Sequence, residues 1–136
     1  MNLVTRRSLV RAIPIGLLLA PIVSPPVLAE IRDYEFQLMQ SEVKKGDGAI
    51  VAVRLVDKRS GKMVPDAVIS AKRIDMTPDG MATMTASLEQ LSSTEPGVYR
   101  FKADLSMQGR WQLSLAAKVQ GEIGTVESKL VLKVVP

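Results

Sequence analysis

Apolar and polar positions alternate most regularly between residues 99 and 119. Tyr99, Phe101, Ala103 and Leu105 alternate with Arg100, Lys102 and Asp104. After residues 106–110, Trp111, Leu113, Leu115, Ala117 and Val119 alternate with Gln112, Ser114 and Lys118. A period of two is that of a strand with one buried face. The pattern therefore predicts a half-buried hairpin with Trp111 as its main core residue. Weaker forms of the same signal predict strands at 35–39, with Phe36 and Leu38 on one face, and at 50–56, where Val51, Val53 and Leu55 share a face. Further strands are expected at 67–74, 82–91 and 126–135. Turn chemistry separates them: Lys58-Arg59-Ser60-Gly61-Lys62, Pro78-Asp79-Gly80, Glu95-Pro96-Gly97, and the pair Gly121 and Gly124. Residues 40–48 carry charge and glycine and read as a loop. No helical period stands out. About seven short strands predict an all-β, immunoglobulin-like antiparallel β-sandwich, with a small closed barrel as the alternative. Tyr99, following Pro96-Gly97, has the local look of a tyrosine corner, in which the hydroxyl closes a turn.

The first 29 residues break this pattern and read as an export signal, leaving 30–136 as one domain. Arg6, Arg7 and Arg11 form a basic region, an apolar stretch follows over 12–23, and Val27-Leu28-Ala29 has the small-residue form of a cleavage site. Pro14 and Pro21 interrupt the stretch, which falls short of the roughly 20 residues of a membrane span. No retained membrane anchor is expected. Thr5-Arg6-Arg7-Ser8-Leu9 also fits a twin-arginine signal, so Sec and twin-arginine export both stay open. The split changes the charge argument. All 14 acidic residues but only 15 of the 18 basic ones follow Ala29, leaving a net +1. The basicity belongs to the signal, and nothing points to nucleic acid as a partner.

The chain has no cysteine and no histidine but seven methionines. That composition excludes disulfides, Ser-His-Asp and Cys-His nucleophile systems and histidine-ligated zinc, so an enzyme is not expected. Thioether sulfur is the only soft ligand on offer, and it suits Cu(I). Three methionines fall close together in Asp75-Met76-Thr77-Pro78-Asp79-Gly80-Met81-Ala82-Thr83-Met84, and Met107 lies in the turn-like Ser106-Met107-Gln108-Gly109. If successive strands run up and down a sandwich, the loops after the first, third and fifth strands share one end. Met39, Met76, Met81, Met84 and Met107 then collect there, and Met63 lies at the other end. Methionine also fills gaps in apolar cores. By parity Met84 continues Ala86 and Leu88, and Met107 continues the Tyr99–Leu105 face. Met76 and Met81 flank a surface turn and fit that account less well. Asp75 and Asp79, beside proline and glycine, read as turn formers.

Pro96-Gly97-Val98-Tyr99 followed by Met107-Gln108-Gly109-Arg110-Trp111 resembles the signature of the YtkA-like and FixH-like domains, Pro-Gly-x-Tyr and then Met-x-Gly-x-Trp. The methionine segment resembles the subset associated with heavy-metal efflux adaptors. The likeness spans roughly residues 50–135. It implies a β-sandwich in the bacterial periplasm, associated with copper handling or oxidase assembly. Residue by residue it points to Met76, Met81, Met84 and Met107 as metal ligands. FixH itself keeps an N-terminal anchor, whereas this chain has a cleavage-type sequence. The expectation is a soluble periplasmic accessory protein holding Cu(I), or Ag(I), through methionines. The alternative is a metal-free interaction module for a periplasmic efflux or oxidase-assembly protein.

Overall fold

The computed structural model describes residues 31–136. The proposed signal peptide and cleavage site lie outside them. Among the described residues no helix is long and apolar enough to cross a membrane. Within the described residues nine strands follow a short 3-10 turn: β1 (Tyr34–Leu38), β2 (Glu42–Lys44), β3 (Gly46–Asp57), β4 (Val68–Met76), β5 (Met81–Thr85), β6 (Leu88–Leu91), β7 (Val98–Leu105), β8 (Gly109–Lys118) and β9 (Val126–Val135). They form two layers, ordered β1-β3-β7-β6 and β2-β9-β8-β4-β5. Every pairing is antiparallel except that of β2 with β9. The result is an immunoglobulin-like β-sandwich.

The most regular segment is not a hairpin. β7 pairs with β3 and β6, while β8 pairs with β4 and β9. The two strands face each other across the core, and residues 106–108 carry the chain from one layer to the other. An inward apolar face with period two satisfies either arrangement, so alternation alone does not choose between them. Two more segments depart from the sequence reading. The expected loop at 40–48 contains β2, whose Val43 lies beside Val134, and the first residues of β3. The expected single strand over 82–91 divides near Ala86-Ser87: β5 stays in the layer of β4, and β6 joins the layer of β7.

Inward residues of both layers interleave. Phe36, Leu55, Phe101, Trp111, Leu113 and Leu132 are among the fully buried side chains. Phe36 and Tyr99 meet edge to face, with ring centroids 6.1 Å apart. The Tyr99 hydroxyl donates to the Val64 carbonyl (2.8 Å) and accepts from the Ala67 N–H (2.9 Å). It therefore closes the turn leading into β4, not the turn before its own strand. Among the described residues no buried side-chain polar atom lacks a hydrogen-bond partner.

Candidate functional site

The end of the sandwich that carries the methionine turn is built where β4 runs out. Ile74 and Met76 have inward parity, and both are fully buried. Asp75 between them is also nearly buried. Burial pushes its carboxyl up, but the Thr77 hydroxyl, the Arg73 side chain and the Thr77 N–H all donate to it and hold it below the usual carboxylate range. Pro78 then fixes a single 3-10 turn, Thr77–Asp79. Gly80, at φ 77°, takes the left-handed conformation and donates its N–H back to the Thr77 carbonyl at 2.8 Å. The chain returns as β5.

This turn is clamped to β8. The Asp79 carboxylate accepts the Arg110 backbone N–H (2.8 Å) and its Nε (2.8 Å), while Arg110 Nη2 donates to the Pro78 carbonyl (2.8 Å). Those bonds to Arg110 hold the Asp79 carboxyl below its ordinary range. Gly109 makes the closure possible. A Cβ there would lie 2.6 Å from Met76 Cε and 2.7 Å from Asp79 Oδ2. Two residues earlier, the Met107 carbonyl accepts the indole N–H of the buried Trp111 at 2.9 Å. The spacing Met107-x-Gly109-x-Trp111 thus has a local explanation. Its first residue anchors the tryptophan, its glycine admits the methionine turn, and its tryptophan fills the core.

The four candidate ligands occupy different environments. Met76 was expected in an exposed turn, but it ends β4 and is 0% exposed. The inward parity of Ile74 is the sequence signal for this. Met81 lies directly across the strand pair from Met76 and is 39% exposed. Directly opposed residues of an antiparallel pair project to the same side, with Cβ atoms roughly 5 Å apart. Between that pair and Asp75↔Thr85 the register shifts, so β5 bulges through Ala82, Thr83 and Met84. Met84 packs half-buried against the core. Met107, whose parity also allowed a place in the core, is likewise 39% exposed, because the chain is crossing between layers at that point. The clamp brings the turn at 77–79 to Gly109, so all four methionines belong to one end. Met39 stands level with Ala52, well inside β3, and Met63 packs against Gly97 at the far end.

Asp79, Gly109 and Arg110 were not expected as a unit. Asp79 read as a turn former, and its partner lies 31 residues away. Among the described residues no group of three or more carboxylates could hold a metal ion. The thioethers are the soft donors at this end.

No curated protein sequence matches the chain. Among solved structures it is similar to the Lin-41 filamin domain, at 15% identity and TM-score 0.47, covering 79% of this chain and 95% of that one. It is also similar to the ZirS C-terminal domain, at 12% identity and TM-score 0.47, covering 100% of this chain and 88% of that one. Neither likeness reaches function. The family model described as YtkA-like matches residues 28–116, a stretch that holds the methionine turn, Pro96-Gly97-Val98-Tyr99 and the Met107–Trp111 segment. With the clamp, the glycine that admits it and the tryptophan behind it all inside that match, the chain belongs to the YtkA-like family.

Proposed function

We propose that this protein is an exported, periplasmic accessory protein that holds Cu(I), with Ag(I) as a surrogate, through methionine thioethers, and that it carries or sequesters the metal without catalysis. Met76, Met81, Met84 and Met107 would hold the ion. Neutral thioether sulfurs match a soft monovalent cation and disfavour zinc, iron or calcium. The observation that carries the reading is the cross-strand pairing of Met81 with Met76, on the turn clamped beside the Met107 crossing.

The test is titration with Cu(I) against a competing chelator, on protein without its signal segment. Wild type should bind stoichiometrically. Met76→Leu combined with Met81→Leu should abolish that binding. Replacing methionine by leucine nearly conserves volume and costs under about 1.5 kcal/mol per site, so the double variant should still fold. Unchanged affinity in a folded double variant overturns the reading.

The exposure of Met81 and Met107 supports a second reading. Adaptable methionine surface suits protein contact. In that case the same end docks on an efflux or oxidase-assembly protein, and the double variant loses the partner while wild type takes up no Cu(I).

A further inference from the structure

A thioether at 0% exposure cannot meet an ion arriving from solvent unless something moves. Met76 is in that position, while Met81 and Met107 are open. What covers Met76 is identifiable. Its terminal methyl lies over Gly109, beside the Asp79 carboxylate. The turn Thr77–Asp79 is held to β8 by the Asp79 and Pro78 bonds to Arg110 and rooted at its start by the bonds to Asp75. Gly80 follows it in a left-handed conformation. Two of the Arg110 bonds come from its side chain, which is 60% exposed. Exposed ion pairs are weak. The side-chain part of the clamp is therefore inexpensive to release.

We infer that Asp79 and Arg110 are positioning residues that keep Met76 shut away, and that opening of the 77–80 turn sets how fast this sulfur becomes reachable. The use of such a gate rests on the Cu(I) reading, but its geometry does not. In a metal-binding protein it separates two tasks. Met81 and Met107 meet the incoming ion first, and Met76 joins after the clamp lets go. Arg110 then governs the rate of uptake more than the final affinity, since it supplies none of the sulfurs.

Dilute hydrogen peroxide provides a metal-free probe. It transfers one oxygen atom to a thioether, oxidising sulfur to the sulfoxide, and leaves as water. Peptide mapping by mass spectrometry reads each methionine within the same molecule. In wild type, Met81 and Met107 should oxidise early and Met76 late. Arg110→Ala should speed oxidation of Met76 about five- to tenfold, the scale of one exposed ion pair plus one hydrogen bond, with Met107 unchanged. Arg110→Lys, which keeps the charge, should restore part of the protection. Fluorescence of the buried Trp111 distinguishes local opening from unfolding. If Arg110→Ala unfolds the chain, Asp79→Asn, which keeps an acceptor for the backbone N–H, must show the same selective exposure of Met76. Stopped-flow Ag(I) binding should then show a faster slow phase in the variant with near-equal affinity. Oxidation of Met76 as fast as that of Met107 in wild type, or an unaltered Met76 rate in folded variants, overturns the gate. Selective peroxide exposure in a protein that takes up no Ag(I) would instead remove the metal reading and leave the gate standing.

Discussion

At the scale of single residues, the methionine end is decided by what is absent at position 109. Gly109 has a φ of 141° and no room for a methyl group between Met76 and Asp79. Gly109→Ala should cost roughly 2–4 kcal/mol through backbone strain and displacement of the turn, measurable as a lower urea midpoint. It should also raise the peroxide reactivity of Met76. Tyr99 makes a comparable point at the other end. Tyr99→Phe leaves the Ala67 N–H and the Val64 carbonyl without the hydroxyl that joins them. A loss of about 1–3 kcal/mol is expected, again read by urea denaturation. These roles were unequally legible. Trp111 stood out as a core residue from its alternation. Met76 was legible only through the parity of Ile74, which the neighbouring Pro-Asp-Gly signal obscured. The partnership of Asp79 with Arg110 left no trace, because the sequence between them says nothing about which turn meets which strand.

At the scale of elements, periodicity found the strands and misjudged their neighbours. β8 is paired along both edges, whereas β5 joins β4 only through Thr85 and Met81. Hydrogen exchange should therefore rank the β8 amides among the slowest and those of β5 and β2 among the fastest. Equal protection of β5 and β8 would contradict this topology. The division between β5 and β6 escaped the sequence reading because residues 82–91 contain no glycine or proline to mark it. The change of layer is made at Ala86-Ser87. There the Ala86 N–H still donates to the Ile74 carbonyl, and the Ser87 carbonyl already accepts from Asp104. The opposite parity of Met81 and Met84 belongs instead to the bulge within β5, where the register shifts between Met76↔Met81 and Asp75↔Thr85.

At the scale of the whole molecule, three carboxylates tie separate parts together while charged. Asp75 and Asp79 fasten the methionine turn. Asp104 accepts from the Ser87 hydroxyl and the Gly48 N–H, joining β7 to the start of β6 and to β3, and these bonds hold it below its ordinary range. A carboxyl depressed in the folded state adds stability above its unfolded value, near pH 3.8 here, and loses it as pH falls through the lowered value. Urea midpoints should stay flat from neutral pH to about pH 5 and fall below about pH 4. Thioethers carry no proton in that window, so on the proposed Cu(I) reading the affinity should stay level over the same neutral range, unlike that of a histidine or cysteine site.

The crossing at 106–108 gives this end a mechanical character. Met76 and Met81 ride on one layer, while Met107 sits on the strap that leaves the other. An object gripped by sulfurs on both would act as a cross-brace over the seam, resisting any slide of one sheet past its mate. Melting with and without Ag(I) would register that brace as a rise in midpoint shared by both sheets.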